Sequence, residues 1–438
     1  MDLSFSGHLS TSRALQIFQV MRMGAVILTS ILLAKSGLDT AGIGNYEMLL
    51  YIGTTLTFFW VNGLLQGMPP VYVRLKEDDR KAFVFNNFLV FCGISAALFL
   101  LLFFGEKWMT PVLTGQPEVP HFRLFCIYLL LNLPAFPVEY YYLLNEKPRQ
   151  IVAWGTVVFG LQVAAVYSPV ALGFGLQGGF LALIGLSAFK LIWAAALVLR
   201  LGKPVWRPDL ILYYLKFSAP LMLNVLVGNL IVVFDNWMVG WYYRDETVFA
   251  VFRYGSREFP LATALATALG TAMVPKLTAN LNAGLAEIKN KTRRLMHLLF
   301  PLTIALLFLS GPLFPRIFNP DFAASAPLFN IYLLITASRL LQPNALVLAL
   351  GMPRIIFVAG MLELVVKILL GFWFISCWGL HGIAWSVVIA FWVEKATLMW
   401  FLSKKQGITF SAWLDVRLYI VYVILMYLCY GITFILWT

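Results

Sequence analysis

Apolar residues run along the chain in blocks of roughly 20, the span an α-helix needs to cross a bilayer, and short polar stretches separate the blocks. The blocks do not alternate apolar and polar positions, as the shorter strands of a membrane barrel would. The pattern predicts membrane helices over 14–34, 46–68, 82–104, 121–144, 151–172 and 179–200. A second set follows over 217–241, 248–274, 295–314, 326–350, 355–377 and 383–402, with one more over 418–437. The expected fold class is an all-α polytopic membrane protein.

The two sets of six share anchors at an offset of about 205. Lys147-Pro148-Arg149, ending at Gly155, returns as Met352-Pro353-Arg354, ending at Gly360. Met68-Pro69-Pro70 has its counterpart in Met273-Val274-Pro275, and Gly175-Leu176-Gln177-Gly178 in Gly379-Leu380-His381-Gly382, one residue out of step. A period this long is a duplicated half rather than a solenoid. It divides the chain into an N-lobe over 1–204, a C-lobe over 205–405 and an additional C-terminal helix in 406–438. Internal duplication in a membrane protein points to a transporter with its substrate site between the halves.

Composition agrees: 61% of residues are hydrophobic and 12% charged, with a net charge of +12. Most of that excess is loop asymmetry. Arg74, Lys76, Arg80, Lys147, Arg149, Arg200, Lys203, Arg207, Lys289, Arg294, Lys404 and Lys405 fall on one side, while Lys35, Lys107, Arg123, Arg244 and Arg316 fall on the other. The positive-inside rule places the N-terminus in the cytoplasm. The basic side faces anionic inner-leaflet lipid rather than nucleic acid, because no basic patch interleaved with aromatics lies on a soluble face. Residues 1–13 are polar and the first apolar run contains Arg22, which argues against a cleavable signal peptide.

Few motifs carry chemistry. Gly173-x-Gly175-x-x-Gly178 lies in a turn between two apolar segments, not between a strand and a soluble helix, so it reads as a tight turn and not a dinucleotide site. The cysteines have no metal or redox spacing, and His8, His121, His297 and His381 are dispersed, so no metal or cofactor is expected. Asn290-Lys291-Thr292 is a glycosylation sequon on the cytoplasmic side. The stretch 275–294 reads either as an interfacial helix, with Leu277, Leu281, Leu285 and Ile288 at helical spacing, or as a solvated connector.

The functional signal is the set of ionisable residues inside the apolar segments: Arg22, Glu47, Asp235, Arg253, Arg257, Glu258, Arg339, Glu363 and Lys367. Each costs about 2.5–3.5 kcal/mol near the bilayer centre unless it is paired or faces a wet cavity. Glu363 and Lys367, at i and i+4, are expected to pair. Lys190, Glu394 and Lys395 are expected to snorkel to a nearby face. Arg253 and Arg257 are expected on one face of the 248–274 helix, with Asp235 at a similar depth neutralising one of them. The remaining guanidinium charge, with Arg22 and Arg339, matches phosphate bidentately and points to a phosphate-bearing lipid. An internal lattice of ion pairs is the structural alternative. Asn62 and Gln66 share a face of their helix, and Asn224 and Asn229 lie on the 217–241 helix. These amides suit sugar hydroxyls or interhelical contacts.

Together the six-helix repeat, Ser218-Ala219-Pro220, Asp235, the Pro-Arg pairs and the Gly-Leu-x-Gly turns resemble the polysaccharide-exporter branch of the MOP superfamily (multidrug, oligosaccharidyl-lipid and polysaccharide exporters), which includes O-antigen flippases. The resemblance implies two six-helix lobes in a MATE-like V around a central cavity. It places Arg22, Asp235, Arg253 and Arg257 there, and the reading of the charges and amides adds Arg339, Asn62, Gln66 and Asn224 as substrate-binding candidates. The thirteenth segment departs from the twelve-helix core. The expected function is a non-enzymatic flippase of the bacterial inner membrane. It would move a polyprenyl-diphosphate-linked oligosaccharide by alternating access for surface polysaccharide or lipopolysaccharide synthesis, driven by an H+ or Na+ gradient. The alternatives are a cation-coupled multidrug exporter, a membrane glycosyltransferase or polymerase, and an unrelated six-plus-six facilitator. The repeat does not extend to the charges: Arg22 corresponds to Val227, Asp235 to Ser30, Arg253 to Met48, Arg257 to Ile52 and Arg339 to Pro134.

Overall fold

The computed structural model describes residues 10–437. Among these residues, eleven helical stretches are long and apolar enough to cross a membrane. Two of them, Pro148–Leu201 and Pro353–Gln406, are 54 residues long. Each holds two of the predicted segments joined by a sharp turn, so every predicted segment is accounted for.

The first six segments are α1 (Thr11–Ala34), α2 (Thr40–Arg74), α3 (Glu77–Thr114), α4 (Phe122–Asn132) with α5 (Val138–Leu144), α6 (Pro148–Pro169) and α7 (Gly175–Leu201). The second six are α8 (Pro208–Tyr243), α9 (Glu246–Gly255) with α10 (Pro260–Ala279), α11 (Leu281–Ile317), α12 (Ser325–Leu333) with α13 (Ile335–Leu340) and α14 (Pro343–Ala349), and then both halves of α15 (Pro353–Gln406). A short α16 (Phe410–Trp413) leads to α17 (Val416–Trp437).

Local chemistry sets these boundaries. Asp39 caps α2 by accepting from Gly42 N at 3.1 Å, and Asn280 caps α11 by accepting from Ala283 N at 3.1 Å. Proline opens α6, α8, α10 and α15, where its fixed φ and missing N–H cost nothing. The repeated Pro-Arg pair therefore marks two equivalent helix starts. The repeated glycine turn marks two equivalent reversals: Gly175 and Gly379 have φ of +61° and +58°, which an L side chain resists.

Three expectations change. The 248–274 segment is broken: α9 ends at Gly255 and α10 starts at Pro260. Pro260 holds Phe259 in extended backbone, at φ −65° and ψ 106°. The 275–294 stretch is not a separate interfacial helix. It holds the end of α10, a break at Asn280 and the first turns of the 37-residue α11. Finally, the fourth segment of each repeat is interrupted, at Leu133–Ala135 between α4 and α5 and at Leu341–Gln342 between α13 and α14, near Pro134 and Pro343.

Packing divides the chain into two units. One comprises residues up to Asn229 with Gly240–Thr247, and the other Leu230–Val239 with residues from Val248 onward. In the first, α1 lies on α6 and α7 on α4. In the second, α17 docks on α11: Tyr422 stacks on Phe300 at 5.0 Å and 6°, and Tyr419 Oη donates to Ala337 O at 3.0 Å.

Candidate functional site

In the N-terminal unit, α2 meets the first half of α8 through a small-residue seam. A Cβ at Gly63 would fall 2.6 Å from Met222 Cα, and one at Gly67 would fall 2.2 Å from Ser218 Oγ. The Gly63-x-x-x-Gly67 spacing lets the backbones approach as in other membrane helix pairs. Tyr214 Oη donates to Leu64 O at 2.7 Å, and Asn229 Nδ2 to Thr55 O at 3.3 Å. Asn62, Gln66 and Asn224 border this seam. Asn62 Nδ2 donates to its own helix at Phe58 O, 2.8 Å away, while Gln66 and Asn224 are exposed.

Arg22 is half-buried on α1 and donates to the Gln19 amide oxygen. Arg22 and Lys190 are the cations that act on Glu139, a buried carboxylate on α5. Lys190 does not reach for the membrane face as expected; its ammonium donates to Asn132 Oδ1. Glu139 escaped the sequence reading, although it is a lone acid in the apolar 121–144 run.

In the C-terminal unit, Asp235 does not neutralise an arginine. Its Oδ2 is 2.8 Å from Lys367 Nζ, with the two side chains 8% and 3% exposed, and Lys367 also donates to Ile231 O at 2.5 Å. The expected local pair of Glu363 and Lys367 gives way to this contact between α8 and α15. Helical spacing brings Glu363 near Lys367, but packing brings α8 nearer. Asp235 also faces the hydroxyl of the buried Tyr332.

Glu258 is not on a helix. It lies in the break before Pro260 and receives Arg339 bidentately: Nε donates to Oε2 at 3.0 Å and Nη2 to Oε1 at 2.8 Å. The Arg339 guanidinium also sits 4.5 Å from the centre of the Phe391 ring. Glu394 and Lys395 are buried, not snorkelling. They pair at 2.9 Å and share Asn344, which donates to Glu394 at 2.8 Å and accepts from Lys395 at 2.7 Å.

Arg253 and Arg257 therefore do not share one helix face. Arg253 is in the last turn of α9, and Arg257 is in the break, its guanidinium 5.1 Å from the Tyr254 ring centre. Arg253, Asp235 and Glu258 all act on Tyr332, so the structure gathers them in one charged neighbourhood. Gly255 and Pro260 were the available signal for the break. His297 Nδ1 and Tyr422 Oη lie 2.8 Å apart, and His8 lies outside the described residues.

A family model described as the lipid II flippase MurJ matches residues 151–437. The chain belongs to the MurJ lipid II flippase family. It is thus a member of a family of lipid-linked precursor flippases within the MOP superfamily. The family found is MurJ, not the expected polysaccharide-exporter branch. The match contains Asn224, Asp235, Arg253, Arg257 and Arg339; Arg22, Asn62 and Gln66 precede it. No curated protein matches the chain by sequence.

Among solved structures, the chain is similar to a lipid II flippase MurJ in an inward closed conformation, with 16% identity, coverage of 96% of this chain and 97% of that one, and a TM-score of 0.68. It is similar to an inward-facing multidrug resistance MATE family transporter of the MOP superfamily at 13% identity, with coverages of 91% and 99% and a TM-score of 0.64. It is also similar to a MOP superfamily transporter from Pyrococcus furiosus at 12% identity, with coverages of 91% and 97% and a TM-score of 0.53. At these identities the likeness shows a MurJ-like and MATE-like fold.

Proposed function

We propose that this chain moves a polyprenyl-diphosphate-linked saccharide from the inner to the outer leaflet of a bacterial cytoplasmic membrane by alternating access, without covalent chemistry. The observation that carries this reading is the MurJ family match over residues 151–437. Lipid II, the lipid in the family's name, is therefore the first substrate to test, ahead of a precursor of O-antigen or other surface polysaccharide. The multidrug exporter alternative rests on the shared fold alone.

The chemistry of the C-terminal unit supports an anionic headgroup. Asp235 is engaged by Lys367 and Glu258 by Arg339. Arg253 lies in the last turn of α9 and Arg257 in the break that follows, where backbone and guanidinium groups can be presented together to a diphosphate. The basic loop asymmetry supports a cytoplasmic N-terminus.

The test is translocation of labelled lipid II in proteoliposomes by wild type and Arg257→Ala. The expected result is flipping by wild type and its loss in a variant that stays folded in the membrane. Equal flipping by the variant removes Arg257 from the site, and no flipping by a folded wild type refutes the substrate.

A further inference from the structure

A groove of about 550 Å³ lies on the N-terminal unit between α5, α6 and α7. The size is that of a small-molecule site, roughly 300–1,000 Å³. Its wall is aromatic. Trp154 and Trp193 stack across the antiparallel helices at 5.8 Å and 21°, and Trp193 Nε1 donates to Tyr142 Oη at 3.0 Å. Trp154 is buried while Trp193 is exposed, so the stack forms a wall open on one side.

One end of the groove is polar. Lys147, Gln150 and Arg200 line it together, at the start of α6 and the end of α7. Neither Lys147 nor Arg200 has an ion-pair partner among the described residues, and no carboxylate lines the groove. The positive-inside pattern puts this end at the inner leaflet. Tryptophan and basic side chains often mark the interface as a belt. Here they form a concavity with a cationic end and an apolar body.

We propose that this groove binds one anionic glycerophospholipid of the inner leaflet. Its phosphate would lie between Lys147 and Arg200, its glycerol near Gln150, and one acyl chain along Trp193 and Val157. Charge complementarity commits the groove to this occupant: a zwitterionic headgroup would bring its own cation against Lys147 and Arg200, and free phosphate would leave the aromatic wall unused. The site lies within one unit and does not depend on which cargo the protein transports.

The test is native mass spectrometry of delipidated full-length protein titrated with phosphatidylglycerol or phosphatidylethanolamine, with and without excess inorganic phosphate. Wild type is expected to retain phosphatidylglycerol preferentially. In Lys147→Gln/Arg200→Gln the preference falls about 30-fold, the effect of two basic residues at an anionic lipid surface. Val157→Trp, which fills the apolar part without altering charge, lowers retention of the same lipid. Lys404→Gln/Lys405→Gln, with the same charge loss elsewhere, leaves it unchanged. Unaltered retention in both groove variants, an equal loss in the Lys404/Lys405 control, or complete displacement by inorganic phosphate would each overturn the proposal.

Discussion

Replacing Lys367 with methionine removes one partner of the most enclosed ion pair described above. The two side chains are 3% and 8% exposed and meet at 2.8 Å. At that separation and an effective dielectric of about 20, their attraction is about 6 kcal/mol. Desolvation of the two ions, several kcal/mol each, offsets most of it, so the intact pair contributes little net stability. Removing only the ammonium leaves the desolvation of Asp235 without its compensation, a loss of about 3–5 kcal/mol. The Ile231 carbonyl also loses its donor. Lys367→Met should therefore lower the unfolding free energy in mixed micelles titrated with SDS by that amount. The double variant Asp235→Leu/Lys367→Met should lie within about 1–2 kcal/mol of wild type, because apolar replacement of a whole buried pair is often tolerated. It should also retain transport, since the pair joins α8 to α15. A Lys367→Met protein as stable as wild type would refute this reasoning, as would a double variant no better than the single.

Other outcomes follow from single contacts. Arg339→Leu leaves Glu258 without its bidentate partner, but both side chains are 29% exposed, so the expected loss is about 1–2 kcal/mol by the same titration. Gly63→Leu must displace the backbone of Met222, and the heat-resistant folded fraction should fall by the equivalent of about 1–3 kcal/mol. Gly185→Ala meets nothing within 4 Å and should leave stability unchanged or raise it by up to about 1 kcal/mol.

The apolar blocks and the repeat were legible because each rests on local rules. A membrane helix is specified by length and hydropathy, and a helix start by proline in its first turn. Thus Pro148 and Pro353, and Gly175 and Gly379, do in space what their repetition implies. The break at Ser256–Phe259 was written in Gly255 and Pro260 but hidden by the continuity of the hydropathy.

Ion pairing was not legible. The i, i+4 rule gave Lys367 to Glu363, whereas the rotation of α15 about its axis, fixed by packing, gives it to Asp235. The same holds for Arg339, whose partner Glu258 reaches it only because the backbone is not helical there. Lys190, Glu394 and Lys395 were expected at the membrane faces, but the buried Asn132 on α4 and the half-buried Asn344 on α14 hold them inside.

Flipping can be read in proteoliposomes carrying a fluorescent polyprenyl-diphosphate disaccharide-peptide in both leaflets, exposed to a membrane-impermeant quencher. With the wild-type protein, the protected inner-leaflet fluorescence should collapse as cargo crosses. With Arg257→Ala it should persist as in protein-free vesicles. Persistence of the protected pool with folded wild-type protein would show that the chain does not flip this lipid.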